Sequence, residues 1–262
     1  MHSYDVFRHY ERSHWRLADI PFDTIDPGKV RPEYVTLAKS SVMGESNSIA
    51  AQHGFYNEFN DYDFSGFVAI WGYEEIQHHF AFRAWLEATG HPMQAAPVEA
   101  QRDPYAPGST PCATLATNVI SELTVNHIYK AVSGWVDEPV LADIMSRASL
   151  DEAGHAREFI HYARRRLTAH PNELPSVLET LYVYTSEDRI KHPVGVFKGE
   201  LAAVRDHETI DTGFEMFIEK VAAAGELDRL QDKIRRTFGA LTGLDLSTNA
   251  RIRRRLAEAL AA

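Results

Sequence analysis

Residues Trp71 to Phe80 read WGYEEIQHHF, and they place Glu74, Glu75, His78 and His79 within two helical turns. Around them Phe64, Phe67, Val68, Trp71, Phe82 and Trp85 recur at intervals of three and four, which predicts one apolar face of a single helix. Glu75 and His78 fall in a gap of that series. Residues three apart lie on one helical face, so this acid and this imidazole point at the same object, and they do so from the apolar side.

The stretch has a counterpart. LDEAGHAREF, residues 150 to 159, lies 77 positions after YEEIQHHFAF, residues 73 to 82. Glu152 then matches Glu75, His155 matches His78, and Asp151 matches Glu74, while His79 falls on Ala156. Stepping back 30 residues from each glutamate reaches Glu45 in one case and Glu122 in the other. The rule Glu-x29-Glu-x2-His therefore occurs twice. The apolar frame repeats with it, Phe64 over Leu141, Phe67 over Ile144, Val68 over Met145, Phe82 over Phe159 and Trp85 over Tyr162.

A carboxylate on an apolar face without compensation costs several kcal/mol. Four of them with two imidazoles demand positive charge, and a pair of divalent cations supplies it. Hard carboxylates with imidazoles suit iron or manganese. One Glu from each of two helices plus Glu-x-x-His from each of two others is the pattern of a di-metal carboxylate bundle. A single Glu-x-x-His is a weak signal; the doubled, equally spaced unit is specific. The candidate metal ligands are Glu45, Glu75, His78, Glu122, Glu152 and His155. His79, without a counterpart, is read as a polar neighbour of the site.

The rest of the chain sets the frame. Its 262 residues can bury a sizeable core. Cys112 is the only cysteine, which leaves no disulfide framework and no thiolate cluster. The first residues lack the apolar run of a secretory signal, and no segment approaches the roughly 18 apolar residues of a membrane span. A soluble, cytoplasmic protein is expected. A formal net charge of -10 argues against bulk attraction to nucleic acid.

The expected fold is all-α, one domain over residues 1–262. Residues 1–34 form an irregular lead-in with one short helix, 35–170 a metal-binding four-helix bundle, and 171–262 additional C-terminal helices. Helices are expected over Val35 to Tyr56, through the WGYEEIQHHF stretch to Thr89-Gly90, over Ala113 to Gly134, and from Asp137-Glu-Pro139 through Tyr162. Five prolines between 92 and 111 mark a long connection. The C-terminal part is interrupted near His192-Pro193 and Gly195 and ends in an Arg-rich amphipathic tail.

WGYEEIQHHF and LDEAGHAREF also resemble the two iron motifs of the soluble acyl-carrier-protein desaturases, Trp-x-x-Glu-Glu-x-x-His and Asp-Glu-x-x-His. The resemblance covers roughly residues 35 to 165. It implies a ferritin-like four-helix bundle with a di-iron centre, two iron ions or a manganese–iron pair. By the same resemblance Glu45 and Glu122 are terminal carboxylates, Glu75 and Glu152 bridging ones, and His78 and His155 the imidazole ligands. Asp151 matches an acid thought to take part in electron delivery through a ligand histidine. Two positions depart from the family. Where an Arg usually precedes each ligand histidine, this chain has Gln77 and Gly154. Val125 stands where a Thr is usual, flanked by Thr124 and Asn126, and Thr124 is the candidate for proton delivery.

The implied activity is O2-dependent removal of hydrogen from an unactivated C–H of an acyl or related aliphatic substrate carried on an acyl carrier protein. The implied electron donor is of ferredoxin type, and the assembly a homodimer. Hydroxylation or N-oxygenation of a small metabolite, and a ferritin-like ferroxidase or iron store, remain alternatives, as does a non-catalytic helical scaffold. Val119, Ile120, Leu123, Phe67 and Ile70 flank the ligands and are candidates to line a slot for an aliphatic chain. Arg164-Arg165-Arg166 with Arg251, Arg253, Arg254 and Arg255 are candidates to meet an acidic carrier. His170, His192 and His207 take no role.

Overall fold

Asp61 begins the helix that matters most: its side chain accepts from the Phe64 backbone N–H at 3.0 Å. In the computed structural model this helix, α4, runs Tyr62–Ala88 and stops at Gly90, whose φ of +80° suits a residue without a Cβ. The structure describes residues 1–100, 105, 107–186 and 219–261. Before α4 come α1 (His2–Ser13), α2 (Pro32–Ser46) and α3 (Ser48–Glu58). After it come α5 (Ala95–Ala100), α6 (Pro111–Ser133), α7 (Pro139–Ala169), α8 (Leu174–Thr185), α9 (Glu226–Thr242) and α10 (Asn249–Ala261). No strand occurs among the described residues, and none of their helices is long and apolar enough to cross a membrane. The expected interruption near His192-Pro193 and Gly195, and His207, lie outside the described residues.

The chain groups into two compact units. The first comprises Met1–Tyr105, Ile128–Ser149 and Val196–Lys220, the second Ala106–His127, Leu150–Gly195 and Val221–Ala262. Helices α6 and α7 each contribute to both.

In the first unit α4 packs against α1, α2 and α3. Its apolar series is buried as the periodicity predicts: Phe64, Phe67, Val68, Trp71, Phe82 and Trp85. Leu37, Val42 and Met43 of α2 and Leu141, Ile144 and Met145 of α7 complete this core. Burying each such side chain contributes about 1.5–3 kcal/mol. Glu138 fixes the start of α7, accepting from Leu141 N–H at 2.8 Å and from the Trp85 indole N–H at 2.7 Å. The helix expected over Val35 to Tyr56 is two helices, parted at Asn47. Ser46 and Ser48 donate their hydroxyls to the carbonyls of Met43 and Glu45, both at 2.7 Å, a local bonding that competes with helix continuation. The lead-in is more regular than its prolines suggest: α1 spans 12 residues, and three single turns of 3-10 helix follow. Ser3 ties α1 to α4, its N–H and hydroxyl both donating to Asp63 at 2.9 Å.

In the second unit the N-terminal part of α6 (Leu115, Val119, Ile120, Leu123), the C-terminal part of α7 (Phe159, Tyr162, Ala163) and the apolar faces of α8, α9 and α10 are buried. Leu230, Ile234, Phe238 and Leu241 make the stripe of α9. Asn249 at the start of α10 donates to the Thr185 carbonyl at 2.6 Å.

Candidate metal centre

Each unit holds one glutamate–glutamate–histidine set. In the first, the last turn of α2 presents Glu45 and the middle of α4 presents Glu75 and His78, with ligand atoms all within 4.8 Å of one another. His78 Nδ1 lies 3.7 Å from Glu45 Oε2. None of the three is more than 7 % exposed. Burial raises the Glu45 carboxyl, but the hydrogen bond and charge of His78, with a bond donated by the Tyr129 hydroxyl, outweigh it and hold the group below its ordinary value. The Trp15 indole lies nearly parallel to the His78 ring, centroids 6.2 Å apart at 7°.

The second unit repeats the set with Glu122 from α6 and Glu152 and His155 from α7, again with ligand atoms within 4.8 Å. His155 Nδ1 is 3.2 Å from Glu152 Oε2 and 3.4 Å from Glu122 Oε2. All three are buried. Here the acids are less well compensated. Burial first, and the neighbouring Glu152 second, push the Glu122 carboxyl well above its ordinary range against the pull of His155.

The other site candidates divide. His79 is buried but turned to α2, its Nδ1–H donating to the Val42 carbonyl at 2.9 Å. Glu74 pairs with His14 at 3.2 Å. Asp151 is half-buried on α7. Thr124 is buried and donates its hydroxyl to the Ile120 carbonyl at 2.7 Å. Asn126 accepts from Lys233 Nζ of α9 at 2.6 Å. Val119, Ile120, Leu123 and Phe67 are buried; Ile70 instead borders a surface groove. Of the arginines, Arg164 and Arg165 are exposed, whereas Arg166 pairs with Glu173, Arg251 with Asp245, and Arg254 and Arg255 with Glu258.

Three contributors escape a reading by spacing. Trp15 and Tyr129 come to the first set from 63 and 84 residues away in sequence, where no helical period links them to it. Gln77 donates to the Trp15 carbonyl at 2.9 Å, so the residue standing in place of the usual Arg pins the segment that stacks on the ligand histidine.

No family model and no curated protein matches the chain. Solved structures do. The candidate acyl-ACP desaturase DesA2 of Mycobacterium tuberculosis H37Rv matches over 90 % of this chain and 89 % of its own, at a TM-score of 0.57 and 18 % identity. The fold is ferritin-like. Within a ferritin-like fold a doubled Glu, Glu-x-x-His set belongs to the ligand helices themselves, and here those helices are α2, α4, α6 and α7.

Proposed function

We propose that the two sets together hold one pair of iron ions, and that the protein is an O2-dependent oxidoreductase of the acyl-carrier-protein desaturase type. The observation that carries this reading is the equivalence of the two sets: the same three residue types, at the same spacing, buried in the same way. The donors fit the metal. Four carboxylates and two imidazoles without a thiolate suit iron, or a manganese–iron pair. Acids that burial forces toward protonation, as at Glu122, are acids that a divalent cation would return to the carboxylate form.

In this assignment Glu45 and Glu122 are terminal ligands, Glu75 and Glu152 bridge, and His78 and His155 complete the set. Bound there, reduced iron supplies the electrons that activate O2 for removing hydrogen from unactivated carbon. The chain's own residues do the rest. Tyr129 and Trp15 hold Glu45 and His78 in place. Val119, Ile120, Leu123 and Phe67 keep water out and offer an apolar wall to an aliphatic chain. Asp151 is assigned to electron delivery and Thr124 to proton delivery, the Thr124 oxygen keeping lone pairs free to accept. The printed description of DesA2 supports an acyl group on a carrier protein as the substrate. Arg164 and Arg165 are the exposed cations best placed in sequence to meet that acidic carrier. A ferredoxin-type donor, a homodimer, one ferritin-like domain and a cytoplasmic setting complete the proposal.

The test is anaerobic loading with ferrous iron, then exposure to O2 with a ferredoxin-type reductant and candidate acyl carriers, followed by mass spectrometry of the acyl group. Loss of two hydrogens supports desaturation, and gain of one oxygen a hydroxylase. O2 consumption that ends in ferric mineral with no organic product would replace this reading by iron storage.

A further inference from the structure

Helix α4 carries a second pattern, distinct from the face of Glu75 and His78. Tyr62, Gly66, Ala69, Tyr73, Ile76 and Phe80 recur at alternating intervals of four and three, the spacing of a seam along which two helices meet lengthwise. No member is charged. A solvated helix face carries polar and charged residues, yet Tyr62 is 83 %, Tyr73 55 % and Phe80 48 % exposed. Helix α1 widens the same surface. Its Met1, Tyr4 and Phe7 are exposed, and with Ala69, Ile70 and Tyr73 they line an open apolar groove of about 510 Å³.

We propose that this face docks a second copy of the chain, with the two α4 helices antiparallel about a two-fold axis near Trp71. The seam is complementary to itself in that register. Positions whose numbers sum to 142 face one another: Tyr62 meets the partner's Phe80, Gly66 the partner's Ile76, and Ala69 the partner's Tyr73. Each small residue opposes a large one, as close packing requires. Sliding the partner by one heptad destroys the match, setting Gly66 against the partner's Ala69 in one direction and Tyr73 against the partner's Ile76 in the other. The groove beside Ala69 and Ile70 then receives the partner's Tyr73 and Ile76 as knobs. A two-fold axis needs one patch that pairs with itself, and this patch does so. Its lack of charge argues against an acidic or basic partner. The seam ends where charge returns, at Arg83, which bonds Glu87 at 3.3 Å.

The proposal is independent of what the metal site does. Sedimentation velocity and light scattering on the full chain should show a dimer at micromolar concentration. Ala69→Glu and Tyr73→Lys should each raise the dissociation constant at least about a hundredfold, as truncation of an interface anchor does. Mixing the two variants should restore much of the association, because the substituted side chains then face one another with opposite charge. Val183→Lys, at an exposed position on α8, should change nothing. Should the charged variants lose their helical signal by circular dichroism, the double variant Ala69→Cys/Tyr73→Cys tests the register directly. Mild oxidation should then give a covalent dimer, with the native Cys112 buried and silent. A chain that is monomeric at about 100 µM, or a dimer neither weakened by the charged substitutions nor captured by the cysteines, overturns the proposal.

Discussion

The indole of Trp15 lies over the ring of His78, centroids 6.2 Å apart and planes within 7°. This contact joins the irregular segment after α1 to the middle of α4. Gln77 holds the Trp15 carbonyl at 2.9 Å, and the Arg147 guanidinium sits 5.9 Å from the indole centroid. The orientation of a ligand histidine is thus set by packing on a clamped aromatic. Groups that orient a metal ligand typically account for about 10–100-fold in affinity. Trp15→Ala should therefore weaken iron binding in that range with the helical signal kept, and Trp15→Phe should weaken it less. A competition titration against a chelator reads both, and an unchanged affinity for Trp15→Ala would show the stack to be incidental.

Gly154 stands between Glu152 and His155, and a Cβ added there meets nothing within 4 Å. Glycine inside a helix costs about 1 kcal/mol relative to alanine. Gly154→Ala should raise the melting temperature by about 2–4 °C at unchanged metal content. A variant that melts lower, or loses metal, would mean that the helix needs this glycine for a movement of its two neighbours.

Glu173 accepts from the Cys112 N–H at 2.9 Å and from Arg166 Nε at 3.1 Å. Burial raises its carboxyl, but the Arg166 hydrogen bonds and the Cys112 N–H outweigh it and hold the group below its ordinary value. A carboxyl depressed in the folded state stabilises above the unfolded value, about 4.3, and loses that contribution as pH falls through the folded one. Glu173→Gln should cost about 1–3 kcal/mol near neutral pH, less in so far as the partly exposed Arg166 is screened by solvent. The gap to the wild type should narrow as pH is lowered below about 4. Denaturant midpoints measured at both ends test this, and a gap independent of pH would assign the cost to packing.

Much of this architecture was legible because two periodicities coincide. Phe64, Phe67, Val68, Trp71, Phe82 and Trp85 fix α4, and Glu75 and His78 stand inside that series rather than opposite it. The offset of 77 residues then located α7 and, through Glu45 and Glu122, the two remaining ligand helices. The break at Asn47 was not legible, since it rests on two serine hydroxyls choosing backbone carbonyls over solvent. Trp15 and Tyr129 were invisible for another reason. Their contacts with His78 and Glu45 follow from tertiary packing, and no local spacing encodes them. The arginines were misleading in part, because a run of positive residues does not reveal that Arg166, Arg251 and Arg255 already have acidic partners.

The central claim, that six side chains form one di-metal site, is tested most directly by counting metal. Anaerobic loading with ferrous iron, desalting and elemental analysis should give about two ions per chain. Glu75→Ala and Glu152→Ala should lower that content sharply, as should His78→Ala. His79→Ala should leave it nearly unchanged, since that ring is spent on the Val42 carbonyl. A wild type that binds no iron, or a His79→Ala variant that loses as much as His78→Ala, would contradict the account.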